Sequence, residues 1–240
     1  MPTWYALFEG SSNDVVAFKR HFAASGFSFD EIDGKVALAA PQFETCAPGD
    51  AAAVINAAAD LLNAVNVALR LSDARCNGFE LCGVVERRDG KTHRVLLAGS
   101  GVFSLSAVAV AAAGNIGAPV RSNEERLVSL MGRDDGVADI AHALSMHPMT
   151  WGALTKAYET VVGTMSAELN PRDARADYPN LIAKGWLTLE ESNRFYYTAG
   201  YYRHGHPKSP IRTKNPMSYE DACALIKRLV WRLVDELEPT

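Results

Sequence analysis

Two Asp-Gly pairs, Asp33-Gly34 and Asp89-Gly90, constrain this chain more than any other local feature. Each lies between short runs that suit a pleated strand. A two-residue type I′ turn needs positive φ at both central positions, which Asp and Gly tolerate better than other pairs. The first pair predicts a hairpin from Phe27–Phe29 and Lys35–Ala39. The second joins Phe79–Glu86 to Thr92–Ala98, with Arg87, Arg88, Lys91 and Arg94 near the tip, a solvated turn or a second phosphate contact.

Helical signals separate these hairpins. Thr3–Phe8 reads as a strand. Asp14–Ala24 follows as a helix, with Val15, Val16, Phe18 and Phe22 near helical spacing and Gly26 ending it. Asp50 can cap a long alanine-rich run to about Leu71, in which Val54, Ala58, Leu61, Leu62, Val65 and Leu69 fall on one side. The first half is therefore expected to be a small α+β domain, a sheet with one long helix across a face. Ser104–Ala113 fits a strand or a short helix equally well.

From Ser122 onward strand signals fade. Ser122 with Glu125, Thr188 with Glu191 and Ser218 with Asp221 are cap signatures. Helices are expected to about Met131, over Asp135–Met146, and from Thr150 through Trp151, Leu154, Tyr158, Val161, Val162 and Met165, with a short helix or turn at Pro179–Ala183. Two more follow Thr188 and Ser218. The last has a broad apolar face from Ala222 to Leu237, with Lys227, Arg228 and Arg232 opposite. Gly114, Gly117 and Pro119 suggest a boundary, giving an α+β domain over 1–117 and an all-α bundle over 118–240.

Composition narrows the function classes. The 240 residues carry a net charge of −4, which excludes a generally basic protein that coats nucleic acid. No apolar run of transmembrane length escapes a charge or glycine, and the first residues lack a basic, then apolar, leader pattern. Cys46, Cys76, Cys82 and Cys223 form no zinc spacing and read as reduced thiols, so a cytoplasmic location and no membrane partner are expected. No P-loop, GxGxxG or G-x-S-x-G motif is present, and no cofactor is implied.

One stretch departs from the acidic average. Ser192 to Tyr219 holds no acid, yet carries Arg194, Arg203, Lys208, Arg212 and Lys214 together with His204 and His206. Tyrosines interleave with these charges. Arg and Lys neutralise phosphates, and Tyr rings stack on unpaired bases. A solvated basic edge over core tyrosines accounts for the same composition. His can move a proton at a ribose hydroxyl or leaving oxygen, while Arg stabilises charge on the phosphoryl group. His204 and His206 have no nearby acid or cysteine to complete a metal set, so no metal is assigned.

Several segments carry a resemblance: Trp151 with Tyr158-Glu159, RFYYTAG at Arg194–Gly200, RHG at Arg203–Gly205, and PMSYEDACALI at Pro216–Ile226. Together they make the second half resemble the HEPN-like helical domains (higher eukaryotes and prokaryotes nucleotide-binding). The resemblance implies an RNA-binding protein or metal-independent endoribonuclease, a hydrolase of bacterial defence or toxin-antitoxin systems, acting as a homodimer. His204 matches the motif histidine, with Arg203 or Arg194 as the phosphate cation. Tyr201, Tyr202, His206, Lys208, Arg212 and Lys214 would contact substrate. The family's arginine does not fall at its usual place, since Ala199 stands five residues before His204. Many HEPN-like domains are non-catalytic. The second expectation is thus a dimerising interaction module binding a protein or small ligand, with the first half as the partner-binding part.

Overall fold

The structure is a computed structural model. It describes residues 4–22, 25–73, 75–88, 90–97, 121–145, 149–165, 179–204 and 215–238, with the backbone alone at 179, 180 and 204. The chain forms an α+β fold of two compact units, divided along the sequence between Arg133 and Asp134.

The first unit runs β1 (Trp4–Glu9), α1 (Ser12–His21), β2 (Ser28–Ile32), β3 (Lys35–Ala39), a 3-10 turn (Pro41–Thr45), α2 (Ala51–Ser72), β4 (Glu80–Arg88), β5 (Lys91–Leu96) and α3 (Asn123–Met131). Its strands form one antiparallel sheet in the order β2-β3-β1-β4-β5. The first four strands and two helices thus share the connectivity of the ferredoxin-like split β-α-β motif. A fifth strand extends the β4 edge.

The first Asp-Gly turn has the expected backbone, and the second joins β4 to β5 across the Arg88–Lys91 pair, although Asp89 itself lies outside the described residues. Asp33 and Gly34 have φ of 55° and 76°, and Gly90 has φ of 70°. Strand β1 is the centre of the sheet, and its run Trp4-Tyr5-Ala6-Leu7-Phe8 is buried on both faces. On one face Phe8 meets Phe79, and Phe18 of α1 packs edge-on against Phe29 and Phe79. On the other, Tyr5, Leu7, Ile32, Ala37, Ala39 and Val85 form a second cluster. Pairing with β4 slips between Leu7 and Phe8, which leaves Cys82 as the extra residue of a bulge. At Gly83 a Cβ would lie 2.3 Å from the Val95 carbonyl oxygen, so only glycine lets β5 approach.

Polar groups inside this unit are paired where they fix geometry. Helix α1 starts at Ser12, earlier than the apolar spacing implies, because Ser11 and Asp14 form a reciprocal capping box. Asp14 is fully buried and also accepts a bond from the Gly78 amide at 3.0 Å. Burial alone would raise its pKa, but the bonds from Ser11, Gly78 and Asn77 hold it below the usual value. Asn66 of α2 exchanges two bonds with the Phe79 backbone, at 2.9 and 2.7 Å. These contacts tie α1 and α2 to the segment entering β4.

Helix α2 is long and apolar enough to cross a membrane by composition, yet 67% of its most apolar window is buried within the protein. It serves as a core helix. Helix α3 packs on α2 and α1 within this unit, whereas its sequence grouped it with the helical half. The Ser122 hydroxyl donates to the His21 carbonyl at 2.5 Å. Glu124 lies 3.1 Å from His21 Nδ1 and accepts a bond from Ser72. A capping box read in sequence marks where a helix begins but not which neighbour it joins. The boundary expected near 117 therefore falls at Arg133 in the described structure. Ser104–Ala113 lies outside the described residues.

The second unit contains α4 (Asp135–Ser145), α5 (Trp151–Met165), α6 (Pro179–Ala183), α7 (Leu189–His204) and α8 (Tyr219–Leu237). Helix α5 is the hub, touching α4, α6, α7 and α8. The apolar face of α8 is buried at Ala222, Leu225, Ile226, Leu229, Val230, Leu233 and Val234, as its period implies.

Candidate nucleic-acid interface

Helix α7 carries the acid-free stretch into the fold. Thr188 caps it, accepting the Glu191 amide at 3.1 Å, while Glu191 accepts the Thr188 amide at 2.9 Å. Burial would raise the Glu191 pKa, but bonds from Arg228 and Thr188 hold it below the ordinary carboxylate value. Arg228 of α8 lies 2.7 Å away, so α7 is clasped to α8 at its first turn.

The buried face of α7 is only partly apolar. Phe195 and Ala199 are core, each 1% exposed. Ser192 and Thr198 are also buried, and both have partners. Tyr158 of α5 meets the Ser192 hydroxyl at 3.0 Å, and Thr198 accepts the Met217 amide at 3.0 Å. Those contacts fix the rotation of α7 and so decide which tyrosines reach solvent.

Tyr196, Tyr197 and Tyr202 are all exposed. They are not the core side chains that a bland reading would make them. Tyr202 lies against Trp151 of α5, with ring centroids 5.1 Å apart and planes within 7°. Tyr219 of α8 meets the other side of the cluster edge-on, 5.9 Å from Trp151, and donates to the Met149 carbonyl at 2.5 Å. Burial pushes the Tyr219 hydroxyl up to about 12, with Cys223 adding to the effect, so it stays a protonated donor at neutral pH. Tyr201 sits T-shaped on Tyr202 at 5.3 Å. Three helices thus hold an aromatic edge whose outermost ring, Tyr202, is about half exposed.

The two arginines named from sequence are not brought together. Arg203 lies 3.2 Å from Glu159 of α5, beside the aromatic edge. Arg194 donates to the Asn215 carbonyl at 3.0 Å and approaches Asp221 of α8 at 3.9 Å. Helix α7 is continuous through Gly200. Nine residues of unbroken helix separate the two arginines by ~13 Å along the axis and about half a turn round it. His204 is the last residue of α7, ~15 Å along the axis from Arg194. Arg194 therefore does not join Arg203 and His204 at one phosphate within a chain. It fastens the segment before α8 to α7. His206, Lys208, Arg212 and Lys214 lie outside the described residues.

Sequence inspection missed the Trp151–Tyr202 stack. In the sequence Trp151 is an apolar helix position that also carries part of the resemblance, and Tyr202 is expected to contact substrate, but nothing there pairs the two. The shared signal is faint: an aromatic at the first residue of one helix and another near the last residue of the other. Comparison with protein-family models, with curated proteins and with solved structures finds no match for the chain.

Proposed function

We propose that the helical unit binds single-stranded RNA along the edge formed by Trp151, Tyr202 and Tyr219. The observation that carries this reading is the parallel Trp151–Tyr202 pair, exposed on its Tyr202 side. Such a pair is held flat before any ligand arrives, so a base stacking on Tyr202 orders little protein. Arg203 stands next in the chain and supplies a cation for the adjoining phosphate. His206, Lys208, Arg212 and Lys214 follow in sequence and add positive charge without an intervening acid. The HEPN-like resemblance supports the same ligand class.

Binding without cleavage is the better-supported form of this reading. A metal-independent ribonuclease would draw on His204 as acid or base and on an arginine at the same phosphate. Within one chain Arg194 is committed to Asn215 and Asp221 and stands round the helix from Arg203. Cleavage would therefore rest on Arg203 alone or on a second copy of the chain.

The test is incubation of the full chain with labelled single-stranded RNA in EDTA, following binding and strand integrity together. The expected result is salt-sensitive binding with intact RNA, because phosphate contacts release counterions. Cleavage that disappears in His204→Ala would replace this with the ribonuclease reading. Failure to bind at low salt would remove both.

A further inference from the structure

The first unit holds a recess that the RNA reading does not use. Helix α1 and the β2–β3 hairpin flank an open recess of about 400 Å³. Val15, Phe29 and Val36 line its walls. A much smaller hollow shares Val15, Lys19, Phe29 and Val36 with this recess and is also lined by Phe8, Phe18 and Phe79, with Phe18 edge-on to Phe29 at 4.7 Å. The volume suits a small ligand with one bulky apolar group.

Four charged side chains line this recess, and two of them are already engaged. Asp30 is held by Arg87 at 3.0 Å, and Lys35 by Glu9 at 2.5 Å. The other two are Lys19 on α1 and Glu31 on β2, both exposed. Among the described residues neither has an ion-pair partner, and they do not pair with each other. The lining of the recess thus offers a cation from α1, an anion from β2 and the apolar side chains of Val15, Phe29 and Val36.

We propose that this recess binds a free α-amino acid with an aromatic or large aliphatic side chain. Lys19 takes the carboxylate and Glu31 the ammonium group. The side chain rests on Phe29 and Val36. A zwitterion satisfies both charges at once, whereas a simple carboxylate or amine leaves one of them unmatched. An internal peptide segment carries neither terminal charge. The site is independent of the aromatic edge on the helical unit, so its failure would leave the RNA reading untouched.

Titration of the full chain with L-phenylalanine, read by amide NMR shifts and calorimetry, tests the proposal. Saturable shifts are expected at Val15, Lys19, Phe29 and Val36. Lys19→Ala and Glu31→Gln should each weaken binding by about threefold, the worth of one solvent-screened charge contact. Both positions are exposed, and Lys19→Met serves as a second variant that retains the aliphatic stem. N-acetyl-L-phenylalanine and phenylalaninol, which each lack one charge, should bind at least about threefold more weakly than phenylalanine. No saturable shift at millimolar phenylalanine would overturn the proposal. So would equal binding of the N-acetyl compound, affinity unchanged in both variants, or binding of an extended peptide in place of the free amino acid.

Discussion

The Arg203 guanidinium lies 3.2 Å from the Glu159 carboxylate, so the cation beside the aromatic edge is neutralised by an acid of the neighbouring helix. Both side chains are about half exposed, at 43% and 54%, and water screens the pair. An incoming phosphate must compete with Glu159 and is repelled by it. Glu159→Gln is expected to tighten RNA binding by about threefold, in line with the sub-kilocalorie worth of an exposed charge. Titrations at low and high salt check this, and the gain should shrink as salt rises. Weaker binding by the variant would mean that Glu159 holds Arg203 in its binding position.

Arg194 answers to a different role. Its bond to the Asn215 carbonyl anchors the approach to α8, and its side chain is 24% exposed. Arg194→Ala should lower stability by about 1–2 kcal/mol, for loss of a charged hydrogen bond that is partly solvated. RNA affinity measured well below the melting temperature should not change. Lost affinity with unchanged melting would place Arg194 at the phosphate after all.

Much of the secondary structure was legible because its causes are local. Asp33-Gly34 specifies its turn through backbone sterics. Asp50 caps α2 by accepting the Ala53 amide at 3.0 Å, and the boxes at Ser122 and Thr188 form as their spacing implies. What sequence did not reveal depends on partners far along the chain. The placement of α3 in the first unit rests on Glu124 reaching His21 and Ser72. The strand order, with β1 between β3 and β4, follows from packing both faces of one apolar strand. The candidate site divides in the same way. Its charge excess was visible as composition, but the rotation of α7 is set by Tyr158 on Ser192 and Met217 on Thr198. That rotation separates Arg194 from Arg203 and leaves Tyr202 exposed.

Asp60 is the one acid in the long run of α2. Burial raises its carboxyl from 3.8 to about 6. Since the folded value exceeds the unfolded one, the native state binds the extra proton as pH falls through about 6, and charged Asp60 costs stability above that. Asp60→Asn should therefore stabilise the protein at neutral pH by about 1 kcal/mol, after allowing for solvent screening. The advantage should shrink as pH falls below about 6 and vanish only below 3.8, where the wild-type residue is protonated in both states. Urea unfolding of both proteins across this range provides the check. A gap that widened on acidification would contradict it.

Ser129 of α3 is 5% exposed, and among the described residues its hydroxyl has no hydrogen-bond partner. Burying such a group costs free energy without a compensating bond. Ser129→Ala should raise stability by about 1 kcal/mol, measurable as a higher melting temperature. A loss of similar size would reveal a partner for the hydroxyl.

The central claim is that the Trp151–Tyr202 stack receives an unpaired base, and Tyr202 tests it most directly because its exposed ring leaves the core of the bundle intact. Equilibrium binding of a single-stranded RNA should be compared for wild type, Tyr202→Ala and Tyr202→Phe at one salt concentration. One stacked base is worth about 1–3 kcal/mol, so Tyr202→Ala should weaken binding by about five- to a hundredfold while Tyr202→Phe retains most of the affinity. Equal affinity of Tyr202→Ala and wild type, or no binding by wild type, would contradict the account.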